Sequence, residues 1–264
     1  MLRTHLLPQG GKETSLLRAK LQDTPPRVAG FGHRAIDAAF AGEGLSAGTH
    51  QAAGEGTAAL AFGLALVART LAERPTTRAL LIEAAEATRE TGLAYAPGLQ
   101  ALGLDPDRLA IVRARTEGEA LRVMDEALRS GAVAAVLADL GRAPRLDLSV
   151  TRRFNLSARR AGTLGLLVTH DLDGTSAALS RWRAAPHLSR GTRRRLGRPA
   201  FQLRLLRNRL GPTGEWTLEW DSDDRVFRPP APLSAPVARP PVDRPGPAGE
   251  PDPGLAPGAY RQAV

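Results

Sequence analysis

Three observations predict an α/β fold: a mostly parallel sheet flanked by helices, with an antiparallel hairpin near its C-terminal end. Short apolar runs recur at residues 79–83 (ALLIE), 109–113 (LAIVR), 133–138 and 164–169. Stretches with helical spacing of apolar residues separate them. After residue 200 the pattern changes to two alternating segments around the turn Gly211-Pro212-Thr213-Gly214. Strands buried on both faces read as unbroken apolar runs, and intervening segments of about a dozen residues suit right-handed crossovers.

In chain order, residues 13–21 form a candidate short helix, ended by Pro25 and Pro26. Residues 48–53 are a short strand, and 57–73 an Ala- and Leu-rich helix. The strand at 79–83 follows, then a helix over 95–102 that stops at Gly103. After the strand at 109–113, residues 117–130 carry Leu121, Met124 and Leu128 at helical spacing, with Gly131 as the stop. The strand at 133–138 leads to a helix over 149–161, and Gly162 turns the chain into the strand at 164–169. Segments 201–207 and 216–220 form the hairpin; Trp216, Leu218 and Trp220 share a face suited to sealing the sheet edge. Residues 229–264 hold 11 of the 21 prolines and few large apolar side chains, the composition of a disordered tail. The chain therefore divides into an N-terminal segment (1–29), a core (30–222) and a Pro-rich tail (223–264).

The chain has 264 residues, of which 42% are apolar, so a wholly disordered protein is excluded. It has no cysteine, which excludes disulfides, thiolate metal sites and a cysteine nucleophile, and only five scattered histidines. The longest apolar run, 58–68, is too short to span a bilayer, and residues 1–10 lack a secretory core. A cytoplasmic protein with no membrane partner is expected, with nucleoid association following if it meets DNA.

The net charge of +9 comes from 36 basic residues, all but Lys12 and Lys20 arginine, against 27 acidic ones. Residues 174–212 contain no Asp or Glu, while ten arginines fall between positions 181 and 209. Without those ten the chain is within one charge of neutral. Arg181, Arg183, Arg193, Arg194, Arg195, Arg198, Arg207 and Arg209 are the candidate contacts, either to DNA phosphates or to an acidic protein partner. The helix from 149 adds Arg152, Arg153, Arg159 and Arg160 along one side. Trp182, between Arg181 and Arg183, suits stacking on a single-stranded base or half-buried packing.

A phosphate site in such a sheet belongs at the first strand-to-helix turn, here Gly54-Glu55-Gly56-Thr57. The turn is too short for G-x-x-x-x-G-K-[ST] and has no lysine. Glu55 adds negative charge where phosphates would sit. Glu83 and Glu86 follow the second strand, and Asp139 ends the third apolar strand, where an Asp can hold Mg²⁺ through water if a phosphate shares the metal. His33, His50, His170 and His187 form no recognisable arrangement with Ser or Asp. No catalytic residue and no metal site is expected.

Together these residues resemble the RecA-type core of the P-loop NTPases, over about residues 30–222. The stretch Ala35-Ile36-Asp37 through Gly44-Leu45-Ser46-Ala47-Gly48 resembles the entry to its first core strand. Leu80-Leu81-Ile82-Glu83-Ala84 with Gly103-Leu104-Asp105 resembles its second strand and following helix, and residues 117–121 and 127–133 lead into the strand ending at Asp139. Leu205-Leu206-Arg207-Asn208-Arg209 resembles a basic strand late in the core. Three positions depart from it. The phosphate-loop lysine is missing, Ala85 stands where the activating glutamate falls (with Glu86 next), and His170 replaces the usual Gln.

More narrowly, the chain resembles the ImuA family of RecA-like accessory proteins. The matching phrases are Tyr95-Ala96-Pro97-Gly98-Leu99 with Gly103-Leu104-Asp105-Pro106, Arg159-Arg160-Ala161-Gly162-Thr163, Ser180-Arg181-Trp182-Arg183, and Leu206-Arg207-Asn208-Arg209 with Gly214-Glu215-Trp216. The resemblance implies a non-catalytic adapter in damage-induced (SOS) error-prone translesion synthesis. Its implied partners are an ImuB-type Y-family-like protein and an error-prone polymerase, with RecA and DNA as further candidates. Gly54, Glu55, Gly56, Thr57, Glu83 and Asp139 would then be a vestigial nucleotide site needing no cofactor. Two alternatives stay open: a divergent recombinase-like ATPase using ATP and Mg²⁺, and a plain basic DNA-binding module.

Overall fold

A computed structural model describes residues 25–41, 43–54, 56–142, 146–189, 191 and 197–230. The expected helix at 13–21, Glu55, Arg193, Arg194, Arg195 and the Pro-rich stretch 231–264 lie outside these residues.

The elements run β1 (Arg27–Ala29), α1 (Arg34–Asp37), β2 (Leu45–Ser46), β3 (Gly48–Ala53) and α2 (Ala58–Glu73). Then come β4 (Ala79–Ala84), α3 (Ala85–Thr91), α4 (Ala96–Ala101), β5 (Leu109–Ala114) and α5 (Glu117–Ser130). The chain continues through β6 (Ala135–Asp139), α6 (Leu148–Ala161), β7 (Leu164–Thr169) and β8 (Ser180–Pro186). It closes with β9 (Ala200–Asn208), β10 (Gly214–Asp221) and β11 (Val226–Arg228). The long helices carry local start and stop signals. Thr116 Oγ1 accepts from the Glu119 N–H and Asp147 Oδ1 from the Val150 N–H, and Gly131 ends α5 in the left-handed region.

The main sheet has the order β11-β10-β9-β8-β3-β7-β6-β4-β5. Strands β8, β3, β7, β6, β4 and β5 are mutually parallel, and β9, β10 and β11 extend the sheet antiparallel. Helix α2 covers one face, where Leu81 and Leu137 point, and α5 with α6 covers the other, where Ile82, Val136 and Ala138 point. This double cover makes β4 and β6 unbroken apolar runs. The arrangement fits the RecA-like core implied by the resemblance. From β3 the chain moves to one side of the sheet, and from β7 it crosses back over β3 to β8. The ends of β3 and its neighbours therefore line the crevice where such sheets bind ligands.

Two elements of the sheet were not expected. Residues 180–186, read above for charge, form β8. Trp182 and Ala184 point into the core, while Arg183 on the opposite face is exposed. Strand β11 pairs with β10 through Trp220 and Phe227, so the sheet continues past residue 222. Trp182 is 1% exposed and packs its ring 5.5 Å from Phe31 and Phe62 and 6.0 Å from Phe40. Base stacking by Trp182 is thereby excluded. Leu218 and Trp220 are buried and Trp216 half-buried against Trp182, as expected for residues sealing the sheet. Among the described residues, no helix is long and apolar enough to cross a membrane.

Candidate functional site

At the crevice, β3 gives way to the turn at Gly54, and the backbone there is pressed onto the neighbouring strand. A Cβ at Gly54 would sit 1.9 Å from the carbonyl oxygen of Ala184 in β8, so only glycine fits. Gly56 has φ +61° and faces open space. Helix α3 closes the site from above: a Cβ at Gly141 would meet the Ala87 Cα at 3.1 Å. The space bounded by Gly54, Gly56, Ala87, Glu90 and Asp139 is about 30 Å³. That is room for roughly one water molecule, and a larger polar cavity adjoins it at Thr169 and His170. Thr57 precedes α2 and makes no side-chain cap; it lines a separate apolar cavity described below.

Glu83 and Asp139 are direct partners in the β4–β6 register, which brings two carboxyl groups side by side at the strand ends. Glu83 Oε1 accepts from the Ala94 N–H at 2.6 Å, and Oε2 from Arg113 Nε at 3.3 Å. Asp139 is pushed up to about 6, chiefly by burial and further by Glu83, against the Gly141 N–H. At the end of β7, the His170 N–H donates to the Gly141 carbonyl, and its Nδ1 lies 3.0 Å from Asp171 Oδ2. That bond holds Asp171 below the usual carboxylate range. Gln51, His170, Asp171 and Glu86 help line a polar cavity of about 480 Å³ beside the crevice. Among the described residues, no group of three or more His, Asp or Glu is placed to hold a metal ion.

The candidate arginines separate by partner. Arg181, Arg207 and Arg209 clasp the loop at 172–178 through its backbone carbonyls. Arg181 donates to Leu172 and Gly174, Arg207 to Ser176 at 3.1 Å, and Arg209 to Ser176 and Ala178 at 3.3 and 3.2 Å. Carbonyl acceptors leave the guanidinium charges in place. Burial lowers the pKa of Arg181 and Arg209, and the nearby Arg207 lowers both further. Arg198 instead pairs with Asp221 at 3.0 Å. Arg183 is exposed, and its charge is felt by Asp171. On α6, Arg153 reaches across to Asp125 of α5 at 3.3 Å.

No family model matches the chain. Proteins named Protein ImuA from two strains of Caulobacter vibrioides are each 34% identical to it over 216 residues, covering 74% of this chain and 84% of theirs. The chain belongs to the ImuA family. Its fold is accordingly RecA-like.

One buried network in the ImuA-family core was not readable from sequence. His50 Nε2 lies 2.9 Å from the Ser46 carbonyl, and Nδ1 lies 2.7 Å from Ser180 Oγ, which also accepts from Trp182 Nε1 at 2.7 Å. A neutral ring protonated on Nε2 satisfies every bond: it donates to Ser46 and accepts from Ser180. Burial pulls His50 down to about 4, which favours that neutral form. The network joins β3 to β8 beneath the crevice and explains a buried histidine without catalysis. Arg113 was likewise missed, because its partner Glu83 lies on a strand 30 positions away.

Proposed function

We propose that the chain is a non-catalytic RecA-like adapter in DNA damage-induced error-prone translesion synthesis. ImuA-family membership supports its involvement in damage-induced mutagenesis. The adapter reading is carried by the closed phosphate turn: Gly54 pressed on the Ala184 carbonyl, no lysine in the turn, and about 30 Å³ of space beneath it. A sheet that keeps its packing while losing the phosphate cradle can still present surfaces. The proposed partners are an ImuB-type Y-family-like protein and an error-prone polymerase, with RecA as a further one. Equilibrium binding of a fluorescent ATP analogue and measured turnover test this reading, and neither should be detectable. Turnover abolished by Asp139→Ala would overturn it in favour of the divergent ATPase. Co-purification with the ImuB-type protein tests the partner assignment.

DNA contact is a second reading, favoured by the clustering of Arg181 and Arg183 on β8 with Arg207 and Arg209 at the end of β9, where Arg181, Arg207 and Arg209 donate to backbone carbonyls. Among the described residues, the outward face of β8–β10 carries Arg183, Gln202, Thr217 and the ion pair of Arg204 with Glu215 at 2.7 Å, and no aromatic ring. Binding would therefore act on the phosphate backbone and weaken steeply with salt. Replacing Arg193, Arg194 and Arg195 by Ala should collapse it. If DNA binding survives while a partner pulldown fails, the arginines serve protein contacts.

A further inference from the structure

A second cavity lies beside the closed turn. Its volume is about 220 Å³, and Leu60, Leu64, Leu81 and Leu99 form its walls. Glu83 and Asp139 stand at its polar end. Leu93 and Tyr95 line it as well, yet they are 54% and 71% exposed, unusual for large apolar side chains. We propose that this cavity anchors a partner polypeptide through one large apolar side chain flanked by lysine or arginine.

The size and walls suit one large side chain, since apolar contact favours burial in proportion to area. The polar end selects the charge. The two carboxyl groups are neighbours in register, and Arg113 contacts Glu83 at 3.3 Å. Asp139 accepts from the Gly141 N–H, and among the described residues no ion pair reaches it. A cation entering here meets an unsatisfied attraction, whereas a phosphate or carboxylate meets repulsion. The rim is also preformed, because the Ala94 N–H is tied to Glu83 Oε1 at 2.6 Å and this fixes the segment between Leu93 and Tyr95. A fixed rim reduces the ordering cost of binding.

The inference rests on the adapter reading, but the two can fail separately. The test is an NMR titration of the full chain with the capped peptides Lys-Trp-Lys and Glu-Trp-Glu, and with ATP. The expected result is that Lys-Trp-Lys perturbs Leu64, Leu93, Tyr95 and Leu99 and binds at least tenfold more tightly than Glu-Trp-Glu. Ala61→Phe, which fills the cavity, should abolish binding. Leu93→Asp, at an exposed position that does not threaten folding, should weaken it tenfold. Asp139→Asn should reduce the preference for Lys-Trp-Lys. Equal binding of both peptides, or binding unaffected by Leu93→Asp, overturns the anchor pocket and leaves the adapter reading standing. ATP competing at the same residues overturns both. Self-association blocked by Ala61→Phe would make a second copy the occupant and overturn the assignment to a partner polypeptide.

Discussion

Asp139→Asn should make the protein more stable at neutral pH. Asp139 is 6% exposed, and its carboxyl is raised from 3.8 to about 6. The native state therefore holds a proton that the unfolded chain releases between about pH 4 and 6. Stability falls as pH rises through that window, because the native state binds more protons than the unfolded one. At about 1.4 kcal/mol per pH unit, the full penalty above pH 6 is about 3 kcal/mol. Asparagine carries no charge to desolvate, keeps an oxygen for the Gly141 N–H and offers an amide to Glu83. Urea unfolding of both proteins at pH 7.5 should show the variant ahead by up to about 3 kcal/mol, or roughly 6–12 °C in Tm for a folded region of this size. At pH 4 the gap should shrink to less than about 1 kcal/mol, since little of the penalty remains there. The reasoning is refuted if the variant is no more stable at pH 7.5, or if its gain is the same at both pH values.

His50 should produce the opposite slope. Its native value of about 4 against 6.5 means that stability is fully present above pH 6.5 and is lost as pH falls toward 4. In the wild type the two groups offset each other between pH 4 and 6, so Asp139→Asn should unmask acid lability that His50→Gln removes; unfolding midpoints across pH would show it. Trp182→Ala should cost about 3–5 kcal/mol by urea titration, the range for a buried aromatic, and Trp182→Phe much less. Arg181→Ala should expose residues 172–178 to limited proteolysis or faster amide exchange with little change in the global unfolding midpoint. Arg183→Glu should leave stability within about 0.5 kcal/mol and reduce the salt slope of any DNA binding.

Strands β4, β5, β6 and β7 were legible because each is an apolar run flanked by helical segments. Strand β8 was hidden because its alternation carries arginine on the outer face, so its charge stood out more than its periodicity. Its pairing with β3 and β9 depends on contacts about 130 and 20 positions away, which no local pattern encodes. The missing lysine and short turn were visible in sequence. That Gly54 lies on the Ala184 carbonyl was not, because it requires β8 to be in place. Glu83 and Asp139 were each visible as strand-end acids, but only the order β7-β6-β4 makes them neighbours. For the arginines, sequence reveals the absent carboxylates but not that the acceptors for Arg181, Arg207 and Arg209 are backbone carbonyls.

The crevice therefore presents a physical imbalance. Two adjacent carboxyl groups are buried beside a turn with little space beneath it, and burial, which raises Asp139, works against stability at neutral pH. Perturbed titratable groups gather where a site has work to do, and their removal commonly trades function for stability. If Asp139 is only a remnant, Asp139→Asn gains stability and loses nothing measurable. If the apolar cavity takes a cationic partner, the same variant gains stability and loses its discrimination between Lys-Trp-Lys and Glu-Trp-Glu. Stability and peptide preference measured on one preparation therefore separate a relic from a working anchor.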